Sequence, residues 1–449
     1  MQSNPIKYTR SPLCLVFFQV AVLLAYLNAN IVNVGQMGTA KPLLVAYVGI
    51  SVLLFLTLWM KKRLFVRPHF FLFLLLMCWV AFRIIVDLGD MEYLKQITIA
   101  TTGGMVLFYF LGVFLGISYQ DIVLQGDKVW INKLVQLLFL FLLFWMIYNF
   151  SQRLRPSLFY LTDVGGSYQR SGNFLSISFI MVSLSYFIYS LKRIGCKASR
   201  IGGYFWLIIY TLSTLIALVG SQLFGSNSAT AVILGVYLIT LVMALLVPRK
   251  ALWLGYLNRR LALPWSKKLL TRLFFFAMIG FFTFFALLLL VISITGFDIT
   301  SLRLLGFGSG SNTSLLSRYE MFVEVGVNQM AYAPFFGNIN VAYLTTGNAG
   351  KTLHSFFPYV FANLGLFGLI IVLALFASVF FQLYKQSKIG NKSSFLNYKY
   401  NMLALYSLFI LGYLLLFANV ATGVSWAVLW FTLGLISKPL GFKFNEKNC

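Results

Sequence analysis

Histidine is rare in this chain: His69 and His354 are the only two in 449 residues. His354 stands beside Ser355 in NAGKTLHSFFPYVFANLGLFG (348–368), immediately before a hydrophobic run. An imidazole with near-neutral pKa is suited to taking a proton from a hydroxyl; the plainer reading is an amphipathic ring anchored at an interface. Five arginines, Arg153, Arg155, Arg170, Arg303 and Arg318, lie in two long connecting segments outside the hydrophobic runs. Guanidinium forks take phosphate oxygens bidentately, so several converging on one pocket suit a diphosphate. Alternatively they pair with Asp163, Asp298, Glu320 or Glu324 in an ordinary surface network. His69, next to Arg67 and Pro68, reads as structural.

The elements that must position these residues are membrane helices. Sixty per cent of the chain is hydrophobic, 18% aromatic and 10% charged, with a mean hydropathy of +0.86, a balance outside the range of soluble domains. The expectation is an all-α polytopic membrane protein, one integral domain over 1–449. Twelve apolar runs are long enough to cross a bilayer core: 12–30, 42–60, 69–88, 97–117, 134–151, 173–191, 203–220, 228–247, 273–297, 355–383, 402–419 and 421–437. Twelve crossings put both termini on one side. Of the 35 lysines and arginines, 26 fall in segments that this arrangement makes cytoplasmic if the termini are inside, eight in external ones and one, Arg83, within a helix. The net charge of +25 is therefore spent on orientation and anionic lipid, and a nucleic-acid partner is not expected. The apolar run after Ile6–Arg10 reads as an uncleaved first span. Cys14, Cys78, Cys196 and Cys449 are isolated, with no disulfide framework or thiolate metal site in their spacing.

Two external connections are long, 152–172 and 298–354, and function is expected in them. In the second, Asn312-Thr313 can cap a helix on which Leu315, Tyr319, Phe322 and Val323 recur at helical spacing until Ala333-Pro334 ends it. Arg318 shares its apolar edge, and Glu320 and Glu324 lie one turn apart on another face. PFFG (334–337) then forms a turn. Arg83 and Asp87, at i and i+4 near the outer end of the third span, are intramembrane charges. They read equally as a functional pair and as a mutual ion pair snorkelling to the interface. A P-loop, an HExxH, a Gly-x-Ser-x-Gly elbow and a DxD-type aspartate pair are all missing. No cofactor and no metal is expected, and a substrate for such a chain has to arrive already activated.

Arg318, Pro334-Phe335-Phe336-Gly337, His354-Ser355 and Gly365-Leu366-Phe367-Gly368 follow one another in an order that resembles the signature of the O-antigen ligase and O-antigen polymerase superfamily. Arg170-Ser171-Gly172-Asn173-Phe174 is similar to that family's R-x-(S/T)-G-x-F element at the start of a membrane helix. These motifs cover about a quarter of the chain. One departure stands out: where family members often carry a Ser-Arg pair at the start of the following span, this chain has Gly225-Ser226-Asn227-Ser228-Ala229.

The resemblance implies a GT-C-like fold of about twelve transmembrane helices, with the large external loop between the ninth and tenth folding over a cavity open to the bilayer. It implies an undecaprenyl-diphosphate-linked oligosaccharide as donor and a sugar hydroxyl as acceptor, at the outer face of a bacterial cytoplasmic membrane. Membrane lipids, a flippase and a chain-length regulator are the partners it implies. A diphosphate leaves readily without a protonating acid, unlike the leaving groups of glycoside hydrolases; the reaction needs charge stabilisation and removal of one proton. Arg170 and Arg318 are candidates for the first and His354 for the second, with Glu320 or Glu324 as base if His354 binds the diphosphate instead. Arg153, Arg155, Arg303 and Ser355 complete the candidate substrate-binding set. Repeat-unit polymerase is the preferred reading; ligation to lipid A core, or an unrelated transporter or flippase, are the alternatives.

Overall fold

The computed structural model describes residues 68–89, 167–192, 200–223, 226–246, 321–348, 351–388, 395–421 and 426–437, with isolated positions between 98 and 116 and at 293. The regular structure of the described residues is helical, without strands. Four helices come first: α1 (Pro68–Leu88), α2 (Ser167–Lys192), α3 (Arg200–Leu223) and α4 (Asn227–Leu246). A π-helical turn, Met321–Gly326, runs into the short helices α5 (Val327–Tyr332) and α6 (Val341–Thr346). The long α7 (Phe356–Lys388), α8 (Phe395–Ala421) and α9 (Ala427–Ile436) follow.

Five helical stretches, in α1, α3, α4, α7 and α8, are long and apolar enough to cross a bilayer. The expected spans at 69–88, 173–191, 203–220, 228–247, 402–419 and 421–437 fall on α1, α2, α3, α4, α8 and α9. Those at 12–30, 42–60 and 134–151 lie outside the described residues, and 97–117 and 273–297 are represented only by isolated helical positions. Hydroxyls in these apolar helices turn back on their own backbone: Ser176, Ser185, Ser213, Thr214 and Thr240 each donate to the carbonyl four residues earlier. A polar side chain is thereby satisfied without water.

Cross-helix contacts give the directions. Tyr189 meets Trp206 and Ser183 bonds Tyr210, so α2 and α3 are antiparallel. Tyr413 donates to the carbonyl of Ala231 at 2.6 Å and Tyr406 pairs with Thr240 at 2.9 Å, so α4 and α8 are antiparallel too. The starts of α2 and α4 and the ends of α3 and α8 therefore gather at one end of the bundle. Small residues let backbones touch elsewhere: a Cβ on Gly112 or Gly116 would run into the α9 carbonyls of Phe431 and Leu435, and one on Gly434 into that of Tyr109. This is the close approach that glycines spaced by four permit.

The tenth expected span needs correction. It reads as one crossing, 355–383, but α7 is two half-helices joined at Gly365, whose φ of 71° and ψ of −174° are not helical. Phe356 and Phe376 would lie about 30 Å apart in an unbroken helix, yet their ring centroids are 5.8 Å apart. The chain doubles back at Gly365. The second half, 366–388, is roughly 34 Å long and sufficient by itself to cross a bilayer. Phe356 is fully buried and packs with Phe376 and Trp430, which also meets Phe73 of α1. Apolar composition alone hides such a break, because both halves are apolar.

Two of the glycines with left-handed φ in this region, Gly347 and Gly365, separate strain from crowding. Gly347 caps α6 at φ 68° with open space around it, so Gly347→Ala is expected to cost about 1 kcal/mol, from backbone strain alone. At Gly365 a Cβ would also overlap Gly337 N and Phe335 O, and Gly365→Ala is expected to cost about 3 kcal/mol or more. Thermal unfolding of the two purified variants in the same detergent checks the order.

Candidate active site

Breaking α7 frees backbone groups that an intact helix would pair, and in apolar surroundings each must find another partner. The PFFG turn supplies them. Leu366 N donates to Pro334 O at 2.8 Å and Phe367 N to Phe335 O at 3.2 Å, while Asn338 N reaches back to Ala362 O at 3.2 Å. The Leu364 carbonyl takes the indole N–H of Trp79 at 3.0 Å. Gly337 has φ 71° and lies directly against Gly365, with no room for a Cβ on either. The PFFG and GLFG motifs are thus the two sides of one backbone joint. Phe335 and Phe336 point outward, 68% and 61% exposed.

Helix α1 holds the joint. Arg83 and Asp87 form the expected ion pair, the guanidinium meeting both carboxylate oxygens. Their further partners were not expected: Arg83 Nη2 donates to Gly337 O at 2.5 Å, and Asp87 Oδ2 accepts from Ile339 N at 2.9 Å. Trp79, Arg83 and Asp87 recur every four residues and so form one stripe along α1. The opposite face, with Phe71, Leu74 and Ile85, is exposed and apolar, while Phe82 stacks on Trp79. The charged side chains are only 11% and 3% exposed, a burial that is tolerable because their hydrogen bonds are met.

His354 is exposed between two buried neighbours, Leu353 and Phe356. The segment carrying it is fixed from several directions. Gln329 of α5 donates to Lys351 O at 2.8 Å, and Leu353 packs with Val341 and Ala362 in a small cluster beneath the 321–348 segment. Ser355 is the N-cap of α7, its carbonyl accepting from Tyr359 N, but its hydroxyl donates to Asn419 O at 2.6 Å. The side chain of Asn419 caps the helix instead, accepting from Phe357 N at 3.0 Å. Ser355 was expected to bind substrate; its proton is engaged in holding the helix start.

At the same end of the bundle, Gly172 in the first turns of α2 abuts Ser226 at the α3–α4 corner. The Arg170-Ser171-Gly172 element thus meets the Gly225–Ala229 stretch that departs from the family pattern. Behind it lies a buried hydroxyl cluster: Ser221 with Thr230 at 2.6 Å, Gln222 donating to Thr230 at 2.6 Å, and Ser226 with Ser228 at 3.2 Å.

Of the residues singled out in the sequence, His354 and Ser355 lie at this end of the bundle, and Arg170 is in the first turn of α2. Glu324 is exposed in the π-helical turn. The side chain of Arg170 lies outside the described residues, as do Arg153, Arg155, Arg303, Arg318 and Glu320. The expected helix after Asn312 ends at Ala333 as its pattern requires, but its start is also outside them. Trp79 and Asn419 were missed, since isolated polar residues in apolar runs carry no periodic signal. No protein-family model matches the chain. The curated proteins hold no match to it either.

The Gly172 contact makes a double-mutant prediction. Gly172→Ala forces its Cβ onto Ser226 Oγ and is expected to destabilise by about 1–3 kcal/mol. Ser226→Ala in the same chain removes that oxygen and should recover part of the loss, giving a coupling of at least about 0.5 kcal/mol in a thermal-stability cycle.

Proposed function

We propose that the protein is a polysaccharide repeat-unit polymerase, a membrane glycosyltransferase with about twelve crossings and a GT-C-like plan. It takes a glycan from undecaprenyl diphosphate at the outer face of the cytoplasmic membrane and joins it to a sugar hydroxyl of another lipid-linked repeat. The observation that supports this reading is that the start of α2 with Arg170 and the anchored segment with His354 lie at one end of the bundle, the latter leading into the half-helix that ends at the PFFG–GLFG joint. The bond to the anomeric carbon breaks with its electrons departing on the diphosphate, which arginines stabilise. The incoming hydroxyl forms the new bond and loses its proton to His354, or to Glu320 or Glu324 if the imidazole binds the diphosphate. Arg170 and Arg318 are assigned to the diphosphate, with Arg153, Arg155 and Arg303 supporting it.

A transporter is the reading that an interrupted helix would favour, because broken spans expose backbone groups to bind substrate or ions. In α7 four of those groups are taken: Leu366 N, Phe367 N, Ala362 O and Leu364 O have partners within the protein. The break serves to seat a loop.

The deciding experiment is a gel of surface glycolipid from a strain lacking the gene. Core bearing a single repeat without a ladder is expected of a polymerase; bare core with polymer accumulating on undecaprenyl diphosphate would make it a ligase, and an unchanged ladder would remove both. Arg318→Ala and His354→Ala are each expected to abolish chain growth, with the protein inserted at normal abundance by immunoblot. Near-normal polymer from both at equal expression would overturn the assignment of these residues.

A further inference from the structure

Arg83 and Asp87 do more than pair with each other. A mutual i,i+4 pair near a helix end needs no partner outside its own helix, and these side chains each reach one: Arg83 the carbonyl of Gly337, Asp87 the amide of Ile339. The two contacts flank the residue whose amide is given to Ala362 of α7, Asn338. One turn further back on the same stripe, Trp79 holds the carbonyl of Leu364. From α1, then, the 334–340 turn and the end of the first half-helix are gripped together, the first half-helix being the one that starts at Ser355. That half-helix is short, so its two ends are mechanically linked: the joint fixes one and Asn419 the other.

We infer that Arg83 and Asp87 are positioning residues for the candidate active site, clamping the 334–340 turn onto the break in α7 and so setting the place of the segment that carries His354. This rests on the reading of His354 given above. A charged pair 11% and 3% exposed in an apolar helix is costly unless something needs it, and here it is spent on a loop some 250 residues away. Small misplacements of a reacting group lower turnover steeply, by about a hundredfold for about 1 Å. Breaking the clamp therefore acts on turnover more than on substrate binding.

The test uses the full chain in nanodiscs, with backbone hydrogen exchange and glycan transfer measured on the same samples. In the native protein, peptides covering 334–340 and 364–368 should exchange slowly. Arg83→Met and Asp87→Asn should speed exchange there at least tenfold and leave α2 and α3 peptides unchanged. Turnover per folded molecule should fall about 10–100-fold, with the KM for lipid-linked donor moving less than about threefold. The decisive variant is the exchanged pair, R83D with D87R. It keeps an intrahelical ion pair but presents the wrong group to each backbone partner, so it should behave like the single variants. Restoration of both protection and turnover by the exchanged pair would reduce Arg83 and Asp87 to an ordinary helix pair and overturn the inference. Arg83→Lys keeps a cation that can still donate to the Gly337 carbonyl, so it should recover part of the protection and turnover that Arg83→Met loses; values no better than those of Arg83→Met would count against the clamp. Faster exchange with unchanged turnover would overturn the positioning role alone. Protected 334–340 peptides in a native protein with no glycan transfer would remove the functional reading and the positioning role with it, leaving the clamp as a structural device.

Discussion

An interrupted helix in apolar surroundings is tolerated only if its orphaned backbone groups are paired within the protein, and the architecture of the described region follows from meeting that condition at Gly365. Two amides of the second half-helix and two carbonyls of the first are satisfied by a single turn and one indole. The composition of PFFG suits this task residue by residue. Pro334 offers its carbonyl and has no N–H to leave unpaired. Gly337 lets two backbones meet where any side chain would intrude. The two phenylalanines between them turn their rings outward, consistent with apolar surroundings. Arg83 and Asp87 then supply what a short turn lacks, a rigid element to bind it to, and their neighbour Trp79 covers the seam with its ring against Phe367, at a centroid distance of 4.6 Å.

The same condition explains how one helix carries two characters. Along α1, residues spaced by four grip the turn, whereas Phe71, Leu74 and Ile85 on the other side present an apolar surface. A uniformly apolar helix could cross a bilayer as well, but it could not choose the register of a loop distant in sequence. Charge buried in this way contributes specificity of placement more than net stability, since pairing largely offsets the desolvation it requires.

How far the sequence disclosed this depends on the kind of signal. Long apolar runs placed α1, α3, α4 and α8 well, because hydropathy over some twenty residues is what a spanning helix must have. The end of α5 at Ala333-Pro334 was legible for a local steric reason. The break in α7 was not: Gly365 sits in a run apolar on both sides, and only the second motif, 28 residues earlier, betrays that a backbone must approach there. Arg83 and Asp87 were visible as a pair, yet their partners Gly337 and Ile339 are backbone groups, and backbone groups have no identity in a sequence. Asn419 belongs to the same class, a side chain whose meaning lies in capping a helix from another one. Gly112 and Gly116 form a small-residue repeat that could have been read as a packing face and was not.

What is distinctive about His354 is that an exposed residue stands on a segment fixed from several sides. Leu353 and Phe356 anchor the chain on either side, Gln329 holds it at Lys351, and Ser355 and Asn419 tie down the start of the half-helix. A ring that merely lay at an interface would need none of these supports. On the proposed reading, in which the imidazole meets a reacting hydroxyl, these supports remove the entropy of placing it before the substrates arrive. The supports come from four separate elements: α1 through the joint, α5 through Gln329, α6 through Val341 and α8 through Asn419. The position of the imidazole is therefore a property of the whole end of the bundle, which is why substitutions as distant in sequence as Arg83 belong to the same mechanical unit.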